Sequence, residues 1–139
     1  MTDFMHSFDL YAPASVEEAA ELLDKHGKDA WVVAGGKDSF DWFKDRIKKP
    51  QAVIDISGLK QLHGIKDRGD HVSIGAVTTL TEIEESKLLK DNFPILVEAA
   101  GKVASPQIRN AGTLGGNVSQ DTRCAYYRDG FPCYRAGGN

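Results

Sequence analysis

Two glycine pairs set the terms on which this chain can fold. Val32-Val33-Ala34-Gly35-Gly36-Lys37-Asp38-Ser39 follows directly on a short β-like run, and Gly112-Thr113-Leu114-Gly115-Gly116-Asn117 follows a helix-like run. Glycine has no Cβ, so paired glycines accept positive φ and let peptide N–H groups come close to a ligand. Successive N–H groups turned one way form a concavity suited to phosphate oxygens. Two such loops on one small domain could hold the two phosphates of a dinucleotide from both sides.

The bulk of the chain allows this and little else. At 139 residues with 41% apolar composition there is material for one domain with a real core, and a second would be cramped. A formal net charge of −3 gives no reason to expect a nucleic-acid partner. The one basic cluster, Lys44 to Lys49, is interrupted by Asp45 and reads as a solvated helix face. The opening Met1-Thr2-Asp3-Phe4 lacks the basic stretch and apolar core of a secretory signal. No apolar run approaches the roughly 20 residues that span a bilayer, so the expectation is a cytoplasmic protein without a membrane partner.

Residues 15–26 read as a helix, with Ser15 and Glu18 at capping-box spacing, Val16, Ala19, Leu22 and Leu23 on one face, and Gly27 as terminator. Ala30 to Val33 is a strand. A helix from about Ser39 to Ile47 should follow, capped by Asp38 or Ser39, with Phe40, Phe43 and Ile47 facing inward. Gln51 to Ile56 is a strand, and Leu62–Lys66 with His71–Ile74 flank a polar turn as a hairpin. Thr79 and Glu82 repeat the capping-box spacing ahead of Ile83. Pro94 opens a longer helix carrying Ile95, Leu96, Ala99, Ala100 and Val103, and residues 105–139 look irregular. The order is strand, helix, strand, loop, helix, then strands, then helices. That is a mixed α+β arrangement, and neither G-x-G-x-x-G nor G-x-x-x-x-G-K-[ST] is present.

An isolated Gly-Gly is ordinarily a tight turn, and a glycine-rich stretch ordinarily a surface loop. Context adds to the first pair, because a strand leads in and a helix start follows, where free N–H groups and the helix dipole favour an anion. Lys37 could add charge or face water. Asp38 could cap the helix or accept a sugar or amide hydrogen bond. In the second stretch Thr113 and Asn117 can donate alongside the backbone.

A resemblance enters at this point. Val33-Ala34-Gly35-Gly36-x-Asp38, Val53-Ile54-Asp55-Ile56 with Leu59 and Leu62, Ile74-Gly75-Ala76-x-Thr78-Thr79-Leu80, and Gln107-Ile108-Arg109-Asn110-x-Gly112-Thr113-x-Gly115-Gly116-Asn117 occur in order. Together they resemble the FAD-binding domain of the molybdopterin-dependent dehydrogenases, the group of the xanthine, carbon monoxide and 4-hydroxybenzoyl-CoA enzymes. The resemblance runs from about Phe8 to Cys133. It implies an α+β fold of two small subdomains, of the vanillyl-alcohol-oxidase-like (PCMH-type) superfamily, that clasps FAD. The first glycine loop, Val32, Val33, Ala34, Gly35, Gly36, Lys37, Asp38 and Ser39, would wrap the pyrophosphate. Thr113, Gly115, Gly116 and Asn117 would close over the same region. The chain departs from relatives at Lys37, where many carry Thr, and in Gln120-Asp121-Thr122-Arg123-Cys124. Relatives are also longer, so residues 1–139 are expected to be the N-terminal FAD-binding portion of a subunit.

Cys124 and Cys133 stand in the most unusual stretch of the chain. Two thiolates alone satisfy neither tetrahedral zinc nor a four-iron cluster, and their spacing is not C-x-x-C. On residue chemistry they are ordinary loop cysteines. The resemblance implies more, since one branch of the family carries a cysteine-bearing insertion here that binds an additional [4Fe–4S] cluster, and residues 120–139 would begin it. The histidines, at 6, 26, 63 and 71, read as surface or turn residues. Trp31 and Trp42 could approach a flavin, although Trp31, in strand-like sequence, reads as core; Tyr126 and Tyr127 could stack on a ring but read as packing residues. No side chain is nominated as catalytic. The resemblance implies an FAD subunit of a molybdopterin hydroxylase or dehydrogenase, with a molybdopterin-binding large subunit and a small iron–sulfur subunit as partners. The competing expectation is a remnant or interaction module that does not retain flavin.

Overall fold

The computed structural model describes residues 5–138, so the readings placed on Met1–Phe4 and Asn139 lie outside it. Its first half is a small parallel sheet with a helix on either face. Strand β1 (Asp9–Tyr11) is followed by helix α1 (Val16–His26), strand β2 (Ala30–Val33), helix α2 (Ser39–Lys44) and strand β3 (Ala52–Asp55). The sheet order is β1-β3-β2, all parallel, with Leu10 beside Val53 and Trp31 beside Val53 from the other edge. Alternation along the central strand separates two cores. Val53 packs with Val33, Trp42 and Phe43 on the α2 side. Ile54 packs with Ala19 and Leu59 on the α1 side.

The α+β expectation holds, and inside it the first half alternates strand and helix more regularly than the sequence suggested. Ser15 caps α1 by accepting from the Glu18 N–H, whereas the Glu18 carboxylate reaches back one residue further, to the Ala14 N–H. Gly27 ends the helix at a φ of 51°. Helix α2 stops at Lys44 instead of Ile47, because Arg46 turns to a φ of 58° and Ile47 N–H bonds back to the Trp42 carbonyl. With the helix this short, its inward residues are the adjacent Trp42 and Phe43, and Phe40 is exposed.

The second half begins with a hairpin of β4 (Ile65–Asp67) and β5 (Val72–Ile74), in which Ile65 pairs with Ile74. Helices α3 (Leu80–Glu85), α4 (Lys87–Asn92) and α5 (Pro94–Gly101) then gather Ile83, Leu89 and Ala100 into a third core, against which the hairpin's Ile65, Val72 and Ile74 lie. Thr79 and Glu82 form the full reciprocal capping box at the start of α3. Val103 lies beyond the end of α5.

The region expected to be irregular is not wholly so. It holds the short helices α6 (Pro106–Arg109), α7 (Leu114–Ser119) and α8 (Ala125–Arg128). Helix α7 carries both Gly115 and Gly116 in its first turn, where low helix propensity hides it from a sequence reading. No helix among the described residues is long and apolar enough to cross a membrane.

Candidate nucleotide-binding cleft

The first glycine loop leaves the end of β2 and enters α2. Gly36 stands at a φ of 67°, which favours glycine, and a Cβ there would also have to displace the exposed Phe40 ring. Among the described residues, the peptide N–H groups of Gly35, Gly36, Lys37 and Asp38 donate to no protein acceptor. They remain available to an anion, as the sequence reading required.

The second stretch works differently. The Leu114 N–H donates to the Thr78 carbonyl, the Gly115 N–H to the Ala76 carbonyl, and the Gly116 N–H to Thr113 Oγ1. These donors are spent, so this stretch is not a second nest. What it contributes is room. A Cβ on Gly115 would stand 2.8 Å from the Ala76 oxygen, so this glycine lets α7 press against the chain after β5. A Cβ on Gly116 would meet only Thr113 Oγ1, at 3.1 Å, and otherwise point into open space.

Between the two loops lies a cleft of about 620 Å³, within the range of small-molecule sites. The loops touch at its base, where a Cβ on Gly35 would collide with the Ala111 carbonyl. Of the residues singled out from the sequence, Val32, Ala34, Gly35, Gly36, Lys37, Asp38, Ser39, Thr113, Gly116 and Asn117 line the cleft. Val33 is buried in the sheet core and Gly115 lies against Ala76, so neither belongs to the lining.

Helix α3, the α5–α6 turn and α6 complete the wall with Leu80, Val103, Ala104 and Ile108, which sequence reasoning did not nominate. Ala104 holds a φ of 45°, an unusual bend for a residue with a Cβ. Arg109 braces this turn by donating to the Val103 carbonyl and pairing with Glu84 at 2.9 Å. The Thr78-Thr79 pair ties the wall together. Thr78 is fully buried, and its hydroxyl accepts from the Gly64 N–H and donates to the Gly64 carbonyl. Thr79 bridges to Thr113 across an antiparallel contact. Burial pulls the Glu82 carboxyl upward, yet hydrogen bonds from the Thr79 N–H and hydroxyl, with His63 alongside, bring it below its ordinary value.

Of the two tryptophans, Trp42 is fully buried and does not reach the cleft. Trp31 packs against the core through Phe43, as its strand position predicts, and also lines the cleft and donates from Nε1 to Ser39 Oγ, because β2 sits at a sheet edge beside the loop. Asp38 and Ser39 do not cap α2 through their side chains. The Asp38 backbone is already helical, and its carboxylate accepts from Trp42 Nε1, Arg123 and Arg128. Asp121, also in the lining, is held below the usual carboxylate range by the Thr122 N–H and by Arg135.

The cleft therefore has one polar side, with unbonded N–H groups, Lys37 and Arg123, and one apolar side, from Leu80 to Ile108. That division suits a nucleotide, whose diphosphate and ring need opposite surroundings. The profile of the FAD binding domain in molybdopterin dehydrogenase matches residues 6–135. The chain belongs to this family.

Two relatives illustrate the match. The nicotinate dehydrogenase FAD-subunit of Eubacterium barkeri is 43% identical over 117 residues, which are 83% of this chain and 39% of that one. The carbon monoxide dehydrogenase medium chain of Hydrogenophaga pseudoflava is 40% identical over 112 residues, covering 81% and 39%. The solved carbon monoxide dehydrogenase from Hydrogenophaga pseudoflava lacking the Mo-pyranopterin moiety superposes with a TM-score of 0.81 at 39% identity, covering 83% of this chain and 40% of that one. The chain thus spans about two fifths of the length of these relatives. The family accounts for the α+β fold; of the four motifs, the two glycine stretches and Leu80 reach the cleft, whereas Val53-Ile54-Asp55-Ile56 forms the central strand and its cores.

Cys124 is exposed and Cys133 half-buried, both as free thiols, and neither lines the cleft. Among the described residues no group of three or more histidine, cysteine or acidic side chains could hold a metal ion. The donor set described does not fit a four-iron cluster, which takes four ligands.

Proposed function

We propose that the chain binds FAD in this cleft, as the flavin-carrying portion of a molybdopterin-containing hydroxylase or dehydrogenase. The observation that carries the reading is the first glycine loop. Its four unbonded N–H groups lie on the polar side of a cleft whose opposite wall is apolar, within a chain of this family.

FAD supplies the redox chemistry when bound, and the protein's share is binding, orientation and tuning. The N–H groups of Gly35, Gly36, Lys37 and Asp38 would take the diphosphate oxygens, and Lys37 would offset their charge. The bare Cα of Gly116 would leave space for the diphosphate backbone, with the Asn117 side chain beside it. Leu80, Val103 and Ile108 would exclude water from one side of an aromatic ring. No general acid or base is required of this chain.

In the intact assembly, electrons would pass between iron–sulfur centres and an acceptor by way of this subunit. A relative designated a medium chain supports a larger and a smaller partner, here a molybdopterin-binding subunit and an iron–sulfur subunit.

Titrating FAD into the purified chain and its Trp42→Phe variant, followed by calorimetry and by tryptophan emission, tests the reading. One saturable site is expected, with quenching that persists in the variant, where Trp31 is the remaining tryptophan. A chain folded by circular dichroism that takes up no FAD overturns it.

A further inference from the structure

We propose that Arg123 is the side-chain fork that grips the diphosphate of the nucleotide in the cleft, exchanging its carboxylate partners for phosphate oxygens. The inference rests on the FAD reading and adds to it a residue outside both glycine loops.

Arg123 lines the cleft and is 52% exposed. Its Nη1 lies 2.6 Å from Asp38 Oδ1, and its Nη2 lies 3.2 Å from Asp41 Oδ2. Neither carboxylate needs it. Asp38 Oδ1 also receives Arg128 Nη2 at 3.0 Å, and Trp42 Nε1 donates to its other oxygen. Arg128 is the fixed partner: it is only 11% exposed, stacks 4.0 Å over the Trp42 ring and donates from Nε to the Thr122 carbonyl. Asp41 is half exposed and would return to water. Asp38 thus stays neutralised when Arg123 turns away, which keeps the cost of the exchange small.

The gain is specific to a diphosphate. A planar guanidinium presents parallel N–H donors that match two phosphate oxygens, a geometry an ammonium cannot offer. The present ion pairs hold the side chain at the rim, so little rotamer freedom remains to be lost on binding. Lys37 faces the same cleft, and among the described residues it pairs with no carboxylate. Lys37 and Arg123 are the cations of a lining that also carries the Asp38, Asp41 and Asp121 carboxylates, so the diphosphate depends on both of them.

The test is calorimetric titration of FAD, ADP and adenosine into the full chain and its Arg123→Gln and Asp41→Asn variants, at low and moderate salt. Arg123→Gln is expected to lose about tenfold or more in affinity for FAD and ADP, with a shallower salt dependence and adenosine unaffected. Asp41→Asn is expected to bind ADP as tightly as the parent or tighter. Equal ADP and FAD affinities in the parent and in folded Arg123→Gln overturn the inference and leave the FAD reading intact. A parent that binds neither FAD nor ADP removes both. Should Arg123→Gln not fold, the Nε resonance of Arg123 in the parent decides the matter. A shift with ADP and none with adenosine is expected, and no shift with ADP overturns the proposal.

Discussion

Arg128 donates from Nη2 to Oδ1 of Asp38 at 3.0 Å, joining two residues ninety positions apart. The contact fastens the segment after α7 to the first glycine loop, with the Trp42 ring beneath the guanidinium. Removing the carboxylate by Asp38→Ala would leave Arg128 enclosed without its counter-charge. A loss of about 2 kcal/mol is expected, as for a partly buried charge-assisted pair. Urea unfolding measures it as a lowered midpoint. A midpoint unchanged from the parent would mean the pair is solvated and structurally idle.

Gly35→Ala and Gly116→Ala should separate folding from binding. The first puts a methyl group into the Ala111 carbonyl, an obstacle of backbone that no rotamer relieves. It is expected to cost about 3 kcal/mol. The second adds a methyl inside α7 that meets only the capping Thr113 Oγ1, at 3.1 Å, so the helix propensity gained is offset by crowding of the cap and stability is expected to change by less than about 1 kcal/mol. That same methyl should weaken FAD binding. Thermal melts beside FAD titrations give both readings, and a Gly116→Ala variant of full affinity would remove that residue from the site.

Much of this fold is legible in the residues, and what is not follows a pattern. Helix α1 could be bounded because its signals, Ser15 and Gly27, are local. The Thr79–Glu82 box is likewise local, and it starts α3 as its spacing predicts. Helix α7 escapes because it is assembled by tertiary contacts, the Leu114 and Gly115 N–H groups bonding to Thr78 and Ala76. The burial of Trp42 has the same origin. Trp42 is buried beneath Arg128 and Tyr127, which come from the far end of the chain. The site is legible as two glycine stretches, but their division of labour depends on which N–H groups find acceptors elsewhere.

Thr78 offers a test of how the ends of the β4–β5 hairpin are held together. Thr78→Val keeps the shape but strips the buried hydroxyl from the Gly64 N–H and carbonyl. A loss of about 2 kcal/mol is expected, the cost of orphaning enclosed polar groups. Hydrogen exchange at the Gly64 amide should accelerate, and an amide as protected as in the parent would show another acceptor taking over.

Glu82 should give the stability an acid limb. Its carboxyl is lower in the folded chain than its ordinary value, so the folded state favours the ionised form. That contribution is present above the unfolded-state value and fades as pH falls through the folded one. Glu82→Gln is expected to be less stable near neutrality and to show a flatter decline between about pH 5 and 3. Melting curves across that window suffice, and parallel declines in parent and variant would assign the acid loss to another group.

The backbone contact of Gly35 with Ala111 makes the base of the cleft a ruler rather than a spring. The spacing of its two walls there is set by main-chain atoms, which no exchange of side chains nearby can widen. A chain built this way can drift in its rim, at Lys37, Ile108 or Arg123, and so retune what it prefers to hold. It cannot drift in gauge. Attempts to adapt this scaffold to a different ligand should therefore begin at the lip and leave the floor alone.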